Sequence, residues 1–269
     1  MKRKPVADQI VVVMGASSRI GRATALAFAR AGARLVVSAR GPRGLESLVA
    51  EIRGFGGHAL SVVAETRVFS HVHEVAETAE RQLGGLDTWV QAAEMPTRQP
   101  FEKMMPAELS QAISLGVVGH AYAALAAIPI MKRHGGGQLI HVSPAPRAGE
   151  PCVHVAAAAA NRGVAGLLDS LRLELKRQGT PIGVTRVVPP ANDPERVAAA
   201  IVRAALRPRR EVRVGGSETI TVGLHRHFPR LAEAMLQVRR SLADRRRART
   251  GAAEPFADRT ERDVPLFEA

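Results

Sequence analysis

Five apolar residues, Ile10–Met14 (IVVVM), run directly into a glycine and the phrase GASSRIGRATALAFARAG at residues 15–32. The apolar run reads as a short buried strand, and the phrase after it as a glycine turn opening an amphipathic helix. The same alternation continues along the chain. Further strands are expected at 35–38, 59–63, 86–91, 139–142, 182–188 and 211–214. Helices are expected through about 55, around 72–83, from about 106 to 133, along 153–175 and from 195 to 206. Strands alternating with helices at this pace imply a parallel sheet covered on both faces. Right-handed crossovers then make it an α/β, Rossmann-type, doubly wound sheet of about seven strands.

A chain of 269 residues that is 46% hydrophobic can bury one full core, here assigned to residues 1–216. Residues 217–250 read as an amphipathic helix with the apolar stripe Leu224, Phe228, Leu231, Met235 and Leu242, and 251–269 as a flexible tail. The basic face of that helix allows peripheral membrane contact through 224–250. Glutamate and aspartate interrupt the face, which favours docking on the domain or on a second subunit. The single cysteine, Cys152, excludes an internal disulfide framework and fits a reducing compartment. No apolar run approaches a span of roughly 18 residues, and the opening MKRKPVADQ has no secretory apolar core, so a cytoplasmic location is expected. A net charge of +13 attracts anions. Aromatics form only 3% of the chain and do not interleave with the RRRAR cluster at 245–249, so no platform for stacking single-stranded nucleic acid is expected.

The turn after the first strand is the nucleotide signal. Gly15, Ser17, Ser18, Arg19, Ile20 and Gly21 lie where backbone N–H groups and a helix N-terminus would meet a pyrophosphate. The stretch GASSRIGRATALAFARAGARLVVSAR is similar to the opening of short-chain dehydrogenases/reductases, and the DSLRLEL phrase at 169–175 resembles the end of that family's catalytic helix. The resemblance implies NADP(H) as the ligand. It adds Arg40, at the place of a base for the 2′-phosphate, and Glu65 with Thr66 after the third strand. It also marks departures. The family's middle glycine is Arg19, and its Asn-Asn-Ala-Gly turn is Gln91-Ala92-Ala93-Glu94.

The catalytic positions depart further. In the family a tyrosine exchanges a proton with the substrate oxygen, and a lysine lowers its pKa and anchors the ribose. A serine orients the carbonyl and a helix asparagine holds a water. Counting back from the DSLRLEL phrase puts the tyrosine at Ala157 and the lysine at Asn161. The serine falls on Pro144 within HVSPAPR, and the asparagine, three residues before a glycine of LGVVG, on Ile113. No catalytic residue is therefore assigned. The lone tyrosine, Tyr122, sits mid-helix and is expected at a helix–helix contact. After the sixth strand VVPPANDPERV passes through an N-cap turn straight into a helix, leaving no residues for a substrate lid.

Two functions follow. The first is a member that has lost oxidoreductase catalysis and acts as a binding, scaffold or partner subunit, alone as a homodimer or homotetramer or beside an active relative. The second is an NAD(P)-dependent oxidoreductase, or another enzyme, with a relocated site. Ser143, His141, Cys152 and His154 are the candidates for such a site. His71 and His73 do not share a helix face, and no metal site is expected.

Overall fold

The computed structural model describes residues 4–92, 101–143, 155–189 and 193–215. The chain divides into Met1–Thr219 and Ile220–Ala269. The second unit, with the expected helix of 217–250 and the tail, lies outside the described residues. The first contains β1 (Ile10–Met14), α1 (Arg19–Arg30), β2 (Arg34–Ala39), α2 (Pro42–Gly54), β3 (His58–Val63), α3 (Phe69–Thr78) and β4 (Thr88–Gln91). It continues with α4 (Pro106–Ile113), α5 (Gly119–Arg133), β5 (Gly137–Val142), α6 (Val155–Arg177), β6 (Ile182–Val188), α7 (Pro194–Leu206) and β7 (Glu211–Arg213). The seven strands form one parallel sheet in the order β3-β2-β1-β4-β5-β6-β7.

Alternate side chains of each strand feed two cores. Val11 and Val13 of β1, Leu35 and Val37 of β2 and Ile140 of β5 pack with α1, α2 and α7. Val12, Trp89 and Leu139 pack on the other face with α3, α5 and α6. Burying a valine or leucine side chain stabilises by roughly 1.5–3 kcal/mol, so both faces must be covered for the sheet to persist. Ser18 caps α1 by accepting the Gly21 N–H, and Asp193 caps α7 by accepting the Arg196 N–H at 2.9 Å, with Pro194 at the first helical position.

Several boundaries differ from the sequence expectation. β4 begins at Thr88 rather than 86, because the Asp87 N–H goes to the Ile10 carbonyl and its carboxylate accepts the Ile10 N–H, both at 2.9 Å. α3 starts at Phe69, whose ring meets Tyr122 of α5 edge-on with centroids 5.3 Å apart. Tyr122 is thus at a helix–helix contact, as expected. The helix expected over 106–133 is continuous but widens to π-helical spacing at Ser114–Val118. At 28 residues and a hydropathy of 1.7, Pro106–Arg133 is long and apolar enough to cross a membrane, which corrects the expectation that no stretch approaches that length. Its apolarity has a local cause: Ala123, Ala124, Ala126, Ala127, Ile130 and Met131 are buried in the core under the sheet.

One polar contact crosses this core. The Nδ1 atoms of His120 on α5 and His141 on β5 lie 2.8 Å apart in a single hydrogen bond, and both residues are buried. One ring must donate and the other accept, so the two rings cannot both be protonated. Burial, reinforced by the Arg186 guanidinium of β6, lowers the His120 pKa to about 4. Burial, then His120 and Arg172 of α6, push His141 well below its ordinary value. Both rings bind protons more weakly in the folded chain than in the unfolded one. Stability is therefore complete above about pH 6.5 and falls as pH drops toward 4. His120 alone accounts for roughly 3 kcal/mol at the acid end. Urea unfolding should show a declining midpoint between pH 6.5 and 5, above the range of the carboxylates. The double substitution His120→Leu with His141→Leu should flatten that limb.

Candidate functional site

In an open sheet of this kind a ligand binds beyond the carboxyl ends of the strands, where the strand order reverses. Here that point lies between β1 and β4, the strand on either side of which the chain winds in opposite directions. The loop leaving β1 sits at its edge. Gly15 has φ 83°, a conformation that side chains disfavour. The N–H groups of Gly15 and Ala16 both donate to the Ser38 carbonyl at the end of β2, at 2.8 and 2.9 Å. A side chain on Gly21 would collide with the Gly15 carbonyl and crowd the Ser18 hydroxyl, so glycine there is what allows the loop to fold back onto α1.

Within this loop the Gly21 N–H is taken by Ser18 Oγ at 3.0 Å and the Ser18 N–H by the Gly15 carbonyl. The amides of Arg19 and Ile20, which head α1, have no intrahelical acceptor. Arg19 is exposed and forms no ion pair among the described residues. Ser17 is exposed and touches the start of α2, since a Cβ on Gly44 would lie 3.2 Å from the Ser17 Cβ. Arg40, beyond the end of β2, is likewise exposed and without an ion pair among the described residues. By contrast Arg22 is committed to Glu51 at 2.6 Å. The first loop therefore presents open amides and two uncommitted guanidinia, a chemistry that fits phosphate groups.

Glu65 and Thr66 separate in role. The Glu65 carboxylate is gripped by Arg67 at 3.1 Å. The Arg67 hydrogen bonds, with smaller help from Arg40, hold its pKa below the usual carboxylate value. Thr66 is buried: its hydroxyl accepts from the Gln91 amide at 2.8 Å, and Gly119 of α5 packs against it. Gln91 accepts in turn from the Trp89 indole. Thr66 and Gln91 thus tie β4 to α5, and their side chains are not turned to the cleft. Ala93 and Glu94 lie outside the described residues.

At the other end, β5 delivers Ser143 to the cleft floor. Ser143 is 2% exposed, and its hydroxyl donates to Asn161 Oδ1 of α6 at 2.6 Å. Its N–H is held by the Val187 carbonyl of β6 at 3.0 Å. Ala157 lies one turn earlier on α6. The long-helix residue that meets α6 beside Asn161 is Gly116, not Ile113: a Cβ on Gly116 would sit 2.6 Å from the Ala160 Cβ. The phrase LGVVG has two glycines, and counting back from the second lands on Gly116, while Ile113 lies a turn away. Neither residue bears an amide.

His120 was not singled out by sequence reasoning. Its only signal was a histidine directly after the helix glycine Gly119. It also decides the role of His141, which bonds to His120 rather than to Ser143. Ser143 and His141, two of the candidates for a relocated site, therefore do not pair with each other. Pro144, Cys152 and His154 lie outside the described residues. His71 Nδ1 accepts the Glu65 N–H and His73 faces Glu77, so the two do not converge.

Comparison with known proteins agrees with this geometry. Residues 9–201 match the family model for short chain dehydrogenase. An uncharacterized oxidoreductase, YxnA, of Bacillus subtilis is 29% identical over 262 residues, covering 88% of this chain and 74% of that protein. The L-rhamnose 1-dehydrogenase (NAD(P)(+)) of Azotobacter vinelandii is 36% identical over 144 residues, covering 51% of this chain and 55% of its own length. A metagenomic short-chain oxidoreductase solved in complex with NADP superposes with a TM-score of 0.70 at 27% identity, covering 79% of this chain and all of that one. With that match spanning most of a sheet wound in this order, the chain belongs to the short chain dehydrogenase family.

Proposed function

We propose that this chain is a member of the family that binds a nicotinamide dinucleotide phosphate without reducing or oxidising a substrate with it, and that it works as a binding or partner subunit. One observation supports the reading above the others. The residue at the lysine position is an amide whose carbonyl oxygen is occupied by Ser143, and the residue at the tyrosine position is a methyl group. A hydride transfer to a carbonyl needs a proton delivered to the new alkoxide. General acid–base assistance of that kind is worth about 10²–10⁴-fold, and neither Ala157 nor Asn161 has a proton to exchange near neutral pH.

The phosphate end favours retained binding. Arg19, Arg40 and the first amides of α1 remain uncommitted around the glycine turn. When bound, the cofactor would supply hydride chemistry; the residues here would hold its phosphates. A second copy of the chain, or a related subunit, is proposed to cover the outer sides of α5 and α6, where Leu125 and Leu173 are about 60% exposed. The rival reading, a relocated nucleophile, gains nothing from the described residues, since Ser143 and His141 have separate partners.

Titration of NADPH fluorescence with purified protein should show saturable binding. A panel of aldehydes and ketones should then show no NADPH consumption above background, and steady consumption with any of them would overturn the reading. The combined substitutions Pro144→Ser, Ala157→Tyr and Asn161→Lys should raise carbonyl reduction at least 10²-fold over the wild-type rate. Arg40→Ala should weaken NADPH about tenfold, the scale of one charge-assisted hydrogen bond, with little change for NADH.

A further inference from the structure

The two ends of the cleft differ in charge. Over β1 and β2 stand Arg19 and Arg40, with Arg43 at the start of α2, all exposed and without ion pairs among the described residues. Over β5 and α6 the described residues of the cleft floor are neutral: a serine hydroxyl, the Asn161 amide, Ala157 and Gly116. The histidines behind this floor are neutral as well, because each ring shares its Nδ1 with the other in a dry setting. Among the described residues two cations lie beneath this end: Arg186, partly buried on β6 and directed to Glu211 at 3.4 Å, and Arg172 of α6, paired with Asp169. Arg162 follows Asn161 in sequence, but it lies close enough to Arg186 to oppose its charge, which places it toward β6.

A dinucleotide laid across a doubly wound sheet puts one mononucleotide half over each side of the switch point. With the phosphate-binding loop over β1 and β2, the second base falls over β4 to β6, at the neutral end. Nicotinamide carries a positive charge when oxidised and none when reduced. A fixed cation at residue 161 would repel only the oxidised ring, whereas a neutral amide repels neither. Here Ser143 takes the Asn161 carbonyl oxygen as acceptor, which also fixes the amide in one orientation.

We infer that the cleft is built to retain the oxidised form of nicotinamide dinucleotide phosphate, NADP⁺, at least as tightly as the reduced form, so that its occupancy follows the oxidised pool. This inference rests on the binding reading above and deepens it. It gives a noncatalytic subunit a signal to respond to. The determinant is the charge at residue 161, read through binding alone.

Isothermal titration with NADP⁺, NADPH and 2′,5′-ADP separates the possibilities. Wild type should bind NADP⁺ no more weakly than NADPH. Asn161→Lys should shift the ratio of the two dissociation constants about five- to tenfold toward NADPH, as expected for a unit charge near the ring under partial solvent screening. Asn161→Asp should shift it the opposite way, and Asn161→Gln should leave it unchanged. The affinity for 2′,5′-ADP, which lacks the nicotinamide ring, should stay constant throughout and so reports that each variant is folded. A ratio indifferent to the charge at 161, with 2′,5′-ADP still bound, would overturn this inference alone. Failure of wild type to bind any of the three would overturn the binding reading and this inference with it.

Discussion

β1 pairs in parallel with β2 on one side and with β4 on the other, and most of what this chain can do follows from that position. A parallel strand between two others has no edge and no wet face, so its residues must all be apolar, and Ile10–Met14 is buried throughout. The chain can leave such a strand only at its carboxyl end, where the crevice of the reversed strand order opens. Gly15 turns there, two of the turn's amides close on the Ser38 carbonyl, and α1 starts with its first N–H groups facing the crevice. The glycine turn and the open helix amides at this end of the cleft are a direct product of strand order.

The other end is governed by side chains rather than backbone. Gln91, His141 and Arg186 occupy neighbouring register positions on β4, β5 and β6, with Glu211 next on β7. Each has a partner from a neighbouring element: Gln91 bonds to Thr66, His141 to His120 and Arg186 to Glu211, while His141 Nε2 and Arg186 Nε stay buried without one among the described residues. Buried polar groups are mostly paired in this way. The row fastens α5 to the sheet directly below the cleft, and it leaves Ser143, two residues further along β5, in a defined place. Chemistry at this end then depends on what α6 sets opposite Ser143. In this chain that is an amide one turn from an alanine. Ser143 and Asn161 satisfy each other, and the result is a held, neutral surface rather than an acid.

Close packing of the long helix against α6 reinforces that outcome. Gly116 leaves space for Ala160, and Gly163 leaves space for Val117. Two helices that meet through missing side chains hold Ala157 and Asn161 firmly against the cleft, but they leave little room there for a larger group on the long helix. The fold and the chemistry opposite Ser143 are set separately because different residues are responsible for each. Apolar contacts under the sheet hold α6 in place, while only its first turns face the site.

Much of this was legible in the chain. Apolar runs bounded by glycine or polar residues located all seven strands, most sharply β1, where burial on both faces leaves no choice of residue type. The glycine turn after β1 and the run of α6 through Ala157 and Asn161 were legible because they are tied to local spacing along one element. Helix ends were less so. The start of β4 depends on Asp87 bonding to Ile10, and the start of α3 on Phe69 meeting Tyr122, contacts between residues far apart in sequence. The same reason separates Thr66 from the cleft, replaces Ile113 by Gly116, and joins His120 to His141. Sequence by itself determined the parallel sheet, the glycine turn and the residues Ala157 and Asn161, since each follows from local spacing along the chain. Only the tertiary structure decided which polar groups pair with one another beneath the cleft, because hydrogen bonds across the core are set by packing distance and not by position in the chain.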